Sequence, residues 1–284
     1  GASPRGGAPA PRAPAPRPPA WSPVVVDIDH SGAGADQVTV EVSAYRDGRR
    51  RPVAAGRLPH TAVRSYVQQR LDEAVAQLSP DAEELVTFVL PRAWLNEPVA
   101  RWECSPDDST PLGCAYPLVV TDRARYRKGR LRHQLHKRWQ KLDASPSAAV
   151  HRVECGTPER PAGLRKRLWD ADAPLAGFAS PPTAAGEHFV VSLTVPVPVL
   201  LWRRTGCPGP GTCDPCSGTA FLDRLTESLT GVPPLELPRH LQELRLTADA
   251  ADEPEEHWAA DLQLLWDDPR CFPEPAASLR SPVA

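Results

Sequence analysis

The chain has 284 residues, 41% of them hydrophobic and 24% charged, with a formal net charge of -2. That composition can furnish a buried core, and the near balance of charge excludes a whole-molecule field directed at nucleic acid or membrane. No apolar run approaches the ~20 residues needed to span a bilayer and no signal-peptide arrangement opens the chain, so a cytoplasmic location without membrane attachment is expected. Seven cysteines, at 104, 114, 155, 207, 213, 216 and 271, are odd in number and dispersed. They do not resemble the dense, even framework of a small secreted domain, and most are expected as reduced thiols. There is no methionine at all, so the natural initiator is missing and the chain is expected to be the C-terminal piece of something longer.

Residues 1–20 hold seven prolines, six alanines, three arginines and no carboxylate. Such a composition favours extended polyproline geometry and cannot bury surface. Residues 1–21 are therefore read as a flexible linker, 22–274 as a single α/β domain and 275–284 as a tail; a motif for a proline-binding module is the other reading of the first segment. Residues 23–28 predict a strand. Val38, Val40, Val42 and Ala44 alternate with polar residues as a half-buried antiparallel strand should, and residues 31–35 supply the turn, giving an N-terminal antiparallel hairpin. A helix follows with one apolar stripe of Val63, Val67, Leu71, Ala74, Val75 and Leu78. Residues 85–90 are six almost unbroken apolar positions ended by Pro91, which describes a core strand whose exit is packed by Trp94 and Trp102.

From Leu118 the pattern alternates: a strand over 117–121, a helix over 129–142, a strand over 150–155 and a helix over 159–169. Alternation of this kind predicts an α/β fold with a mixed, partly parallel sheet flanked by helices. Further elements are expected at 175–179, 197–202, 219–230, 244–248 and 256–266, the stretch 187–195 being ambiguous; residues 244–248 read as a short element of their own. The strand near 200 is expected to start at Val197, because Pro196 and Pro198 lack amides. The tryptophans at 94, 102, 139, 169, 202 and 266 sit among apolar neighbours and are expected in the core.

The strongest compositional anomaly is basic. Arg123, Arg125, Arg127, Lys128, Arg130, Arg132, Lys137, Arg138 and Lys141 fall in 19 residues without a carboxylate, while Leu131, Leu135, Trp139 and Leu142 recur at helical spacing. One face would dock on the core and the other would meet solvent or an anionic partner: phosphate, nucleic acid or an acidic protein surface. Residues 249–268 are its counterpart, with eight carboxylates and no Lys or Arg. The two segments could pair with each other or steer different subunits of an assembly.

Cys207, Cys213 and Cys216 have C-x5-C-x2-C spacing in a Gly- and Pro-rich loop, which could supply corners of a zinc tetrahedron; the fourth would have to come from Cys271, His188 or His257. In open α/β sheets ligands bind beyond the carboxyl ends of strands, where Gly156, Thr157, Ser180, Arg203 and Arg204 would lie, and the two arginines could hold an anion. The chain has no G-x-S-x-G elbow, no phosphate loop and no dinucleotide fingerprint, so no catalytic residues are assigned. A small hydrolase using Cys155, or a zinc site, is the alternative.

Residues 85–103, 111–120, 197–204 and 262–269, with Arg138 and Trp139, together resemble the C-terminal domain of vWA-MoxR-associated proteins (VMAP-C) of actinobacterial type. The resemblance runs from about Pro23 to Glu274 and brings no catalytic signature. It implies a regulatory or sensing domain of a bacterial conflict (defence) system. It also implies partners: a MoxR-type AAA+ ATPase, a von Willebrand factor A protein, and the chain's own N-terminal effector domain, such as a trypsin-like peptidase.

Overall fold

The computed structural model describes residues 21–30, 32, 34, 36–143, 149–170, 175–209 and 216–271; residues 1–20 of the expected linker, the expected tail and Cys213 lie outside them. The chain opens with three antiparallel strands, β1 (Trp21–His30), β2 (Gln37–Arg46) and β3 (Arg49–Pro59), followed by α1 (Val63–Val75) and β4 (Glu83–Leu90). A small hairpin of β5 (Glu103–Ser105) and β6 (Asp108–Pro111) leads through α2 (Leu112–Ala115) to β7 (Leu118–Asp122), α3 (Arg123–Tyr126) and α4 (Gly129–Leu142). Next come β8 (Val150–Val153), α5 (Pro161–Asp170), β9 (Leu175–Phe178), α6 (Pro182–Ala185), α7 (Glu187–Ser192) and β10 (Val199–Arg203). The described chain closes with α8 (Ser217–Ser228), α9 (Leu237–Asp249) and β11 (Leu262–Trp266).

Nine strands form one sheet in the order β3-β2-β1-β4-β7-β11-β10-β9-β8. Strands β1, β4, β7 and β11 run in parallel, as do β8, β9 and β10, and the two sets meet antiparallel at the β10–β11 junction. The central strands are apolar at nearly every position because both of their faces are covered. On one face Val86, Phe88, Leu90, Val120, Leu265, Leu200 and Trp202 pack with α1, α5 and Phe189. On the other, Leu85, Val89, Val119, Leu264, Trp266 and Leu201 pack with Trp139 of α4 and the apolar faces of α8 and α9. The result is the three-layer α/β architecture expected from the alternation.

Five details depart from expectation. The N-terminal hairpin is extended by β3, joined to β2 through Asp47 and Gly48, both at positive φ (53° and 70°); this backbone twist matches that of the flanking strands in a two-residue hairpin loop. As an edge strand, β3 carries exposed Arg49, Arg51 and Arg57 and two exposed prolines, Pro52 and Pro59, which discourage pairing with another chain. Strand β1 begins at Trp21, two residues before the expected strand and one before the expected domain boundary, and the indole Nε1 of Trp21 donates to the Leu235 carbonyl at 3.1 Å. Residues 244–248 belong to α9, and the sheet strand near 200 starts at Val199, after Pro198 has accepted a backbone bond from Asp267. Trp169 is 41% exposed at the end of α5 and is no part of the core. Among the described residues no helix is long and apolar enough to cross a membrane.

Candidate functional site

Because β8, β9 and β10 run in the same direction, their carboxyl ends share one edge of the sheet. There Val153, Glu154, Cys155, Gly156 and Thr157 after β8, Phe178 and Ser180 at β9, and Ala184, Ala185 and His188 of α6 and α7 line a cavity of about 200 Å³. This is the location that the strand-end rule selects. Cys155 Sγ lies 3.3 Å from Cys207 Sγ. The Sγ atoms of Cys155, Cys207 and Cys216 are all within 4.8 Å of one another.

Two of the three cysteines singled out by spacing therefore stand together, Cys213 is outside the described residues, and the third member is Cys155, 52 residues away in sequence. Glycines make the approach possible. A Cβ on Gly218 would sit 2.5 Å from the Ala179 carbonyl oxygen, and one on Gly206 would sit 2.9 Å from the Arg203 carbonyl and 3.1 Å from that of Ala179. Either side chain would push the cysteine segment away from the end of β9. The three distant residues considered as a fourth ligand are placed elsewhere: Cys271 is buried with Trp266 on the α9 side, and His257 Nδ1 accepts from the Ala259 amide at 3.2 Å. His188 does line the cavity, with Nε2 2.7 Å from the Glu159 carbonyl.

Burial pushes the Cys155 thiol up to about 12; the hydrogen bond with Cys207 adds to this and one with Ser180 opposes it. Without a cation beside it, Cys155 is a neutral thiol at pH 7, and a neutral thiol is a weak nucleophile. Arg203 and Arg204 do not line the cavity. Arg204 Nη1 donates to the Asn96 carbonyl at 2.8 Å and its Nε lies 3.9 Å from Asp261, while Arg203 Nη2 reaches the Glu255 carbonyl at 3.5 Å. These contacts join the end of β10 to neighbouring segments.

The basic segment divides by burial. Asp122 caps α3, its Oδ1 accepting from the amides of Ala124 at 2.6 Å and Arg125 at 3.2 Å. That turn aims Arg125 inward, where it is 1% exposed. Its Nε donates to Asp267 at 2.6 Å, Nη1 to the carbonyls of Ser192 and Val195 at 3.1 Å each, and Nη2 to that of Val197 at 2.8 Å. Arg125 is consequently a structural cation, correcting its placement among surface binding residues. Arg123 pairs with Asp27 and, at 3.0 Å, with Asp29. Burial raises the Asp267 carboxyl, opposed by the Arg125 charge and the Thr121 hydroxyl.

The rest of the segment is a surface. Leu131, Leu135, Trp139 and Leu142 bury the inner stripe of α4, as the spacing predicts, and Trp139 Nε1 donates to the Asp267 carbonyl at 2.6 Å. Arg127, Lys128, Arg130, Lys137 and Lys141 are exposed. Arg127 lies 3.8 Å from Asp29, Arg132 rests over the Tyr126 ring at 5.4 Å, and Arg138 donates to the Trp169 carbonyl. Lys128, Arg130 and Lys137 make no ion pair among the described residues. Exposed Trp169 thus stands beside the basic face, a neighbour that an apolar-pattern reading assigned to the core. In the acidic segment, Asp261, Asp267 and Asp268 are buried while Asp249, Asp252, Glu253, Glu255 and Glu256 are exposed, so the two segments pair internally only in part.

No curated protein sequence matches the chain. A family does: the one described as vWA-MoxR associated protein C-terminal domain matches residues 36–269, which run from the turn before β2 to just past β11. That match spans most of the chain and every strand but the first, and so this chain belongs to the VMAP-C family.

Proposed function

We propose that this domain is a non-catalytic regulatory and protein-interaction module of a bacterial conflict system, coupling an N-terminal effector to a MoxR-type ATPase and a von Willebrand factor A protein. The observation that carries the reading is the outer face of α4, where Arg130 and Lys137 are exposed with Lys128 just ahead of the helix, and where Arg138 of the same helix donates to the main-chain carbonyl of exposed Trp169. Tryptophan and arginine are among the residue types most enriched where binding energy concentrates at protein interfaces. The inner face of the same helix is already used by the core, so the basic residues are not needed for packing. Isolated surface charges contribute little to stability, ~0 to 1 kcal/mol, which makes a partner the better reason for clustering them.

The test is capture of a MoxR-type ATPase and a von Willebrand factor A protein from the same organism by the purified chain. Trp169→Ala should weaken capture by roughly 30-fold, the equivalent of ~2 kcal/mol for an interface anchor. The triple variant Lys128→Glu, Arg130→Glu, Lys137→Glu should slow association and flatten its salt dependence. Wild-type capture by both variants would remove this face from the mechanism. Retention of DNA or RNA that falls steeply with salt, with no protein captured, would assign the face to nucleic acid instead.

A further inference from the structure

We propose that Cys155, Cys207 and Cys216 bind a zinc ion as three thiolate ligands at the carboxyl-terminal edge formed by β8, β9 and β10. Thiols are feeble hydrogen-bond partners, so three of them facing one another gain little from mutual contact; a soft divalent cation at their centre supplies the missing attraction. The distances suit one. Zinc–sulfur bonds of ~2.3 Å at tetrahedral angles place sulfurs ~3.8 Å apart. The 3.3 Å Cys155–Cys207 separation and the 4.8 Å upper bound for the trio bracket that value.

The surroundings are built for the cluster. Cys155 leaves the end of β8, Cys207 is fully buried in the segment after β10, and Cys216 is the residue that caps α8. Gly206 and Gly218 flank the cysteine segment, where a Cβ on Gly218 would meet the Ala179 carbonyl oxygen at 2.5 Å and one on Gly206 the Arg203 carbonyl oxygen at 2.9 Å, closer than a side chain sits. A disulfide between Cys155 and Cys207 would account for two of the sulfurs and leave the third unexplained. Zinc accounts for all three: each thiol releases its proton to solvent as its sulfur lone pair bonds the ion. The fourth corner of the tetrahedron goes to water or to one further side chain, and Cys155 already lines the cavity from which a small ligand could reach it. This inference is independent of partner capture by α4 and can fail without affecting it.

The experiment uses the purified chain. Elemental analysis should find one zinc per chain, and replacement by cobalt should give a sulfur-to-metal charge-transfer band whose intensity distinguishes three thiolates from four. Cys155→Ser should lower zinc content at least 10-fold, whereas Cys104→Ala, at a thiol in the other core layer, should leave it unchanged. Should the Cys155 variant fail to fold, alkylation of the wild-type chain decides: zinc should protect Cys155, Cys207 and Cys216, and chelation should expose them. Absence of zinc together with no cobalt charge-transfer band overturns the proposal. So does zinc that leaves Cys155 alkylated at the chelated rate, or a Cys155–Cys207 disulfide in protein purified under reducing conditions.

Discussion

Arg125→Ala should be among the most damaging single substitutions in the fold. The guanidinium serves four acceptors, the Asp267 carboxylate and the carbonyls of Ser192, Val195 and Val197, all within 3.1 Å. Removing one partner of a buried ion pair costs about 3–5 kcal/mol because the other charge is left in low dielectric. Three buried carbonyls losing their donor add to this, though contributions sharing one side chain do not sum fully, so the working figure is ~5 kcal/mol. With a urea m-value of ~2 kcal/mol/M, the unfolding midpoint should fall by roughly 2.5 M. Asp267→Leu alone strands the cation and should cost about 3–5 kcal/mol as well. Arg125→Met with Asp267→Leu removes both charges at similar volume and should recover ~3 kcal/mol of the summed single losses, leaving the carbonyl deficit. Urea titration followed by tryptophan fluorescence measures all three, with Trp139 bonded directly to the Asp267 carbonyl as reporter. A shift below about 0.5 M for Arg125→Ala, equivalent to ~1 kcal/mol, or strictly additive single losses in the double variant, would show that the Arg125–Asp267 pair does not hold this junction together.

Gly218→Ala should cost ~1–3 kcal/mol in a thermal or urea melt, since its Cβ would meet the Ala179 carbonyl oxygen at 2.5 Å and neither backbone can yield cheaply. Asp261→Asn should cost ~1–2 kcal/mol, less at high salt, because Asp261 is buried while its partner Arg101, at 3.3 Å, is partly exposed. Alkaline unfolding is also expected. Burial lifts the Tyr116 hydroxyl to about 12 and raises Tyr45 further, so the folded chain keeps protons that the unfolded chain has released. The stabilisation is complete below pH ~10, the ordinary tyrosine value, and is lost as pH rises through the folded values by up to ~1.4 kcal/mol per pH unit for each ring. Tyrosinate absorbance rising in step with unfolding supports this; two tyrosines titrating in the native state at their ordinary value would contradict it.

Much of the architecture was legible because strands covered on both faces leave continuous apolar runs, as at residues 85–90, and helices covered on one face leave stripes, as in α4. The misreadings have physical causes. Strand β3 lies at an edge with alternately exposed arginines and no apolar period, although Asp47-Gly48 was a turn signal that could have announced it. In α9 the buried face reads Leu237, Leu241, Arg245 and Ala248, and the arginine in an apolar position breaks the helical period, so residues 244–248 look like a separate element. Arg245 survives there by donating to the carbonyls of Leu118 and Leu262 at 3.2 and 3.1 Å, bonds that join sequence positions no local pattern connects. The same limit applies to the cysteines. Spacing flagged the loop, but only the adjacency of β8 and β9 brings Cys155 to it, and strand order is a global property. The reversal of strand direction at β11 was equally hidden, since a doubly covered strand has the same composition in either direction.

The place of β11 in the sheet has a consequence for how the chain is made. The last of the described strands in chain order, β11, lies between β7 and β10, so the two halves of the sheet have no hydrogen-bonded connection among the described strands until about residue 262 has emerged. A nascent chain must therefore hold two open strand edges apart while its C-terminal segment is synthesised, and such edges invite pairing with other chains. Truncation ahead of residue 262 should yield aggregates rather than a smaller folded domain, and the native state should form only after synthesis through residue 266 is complete.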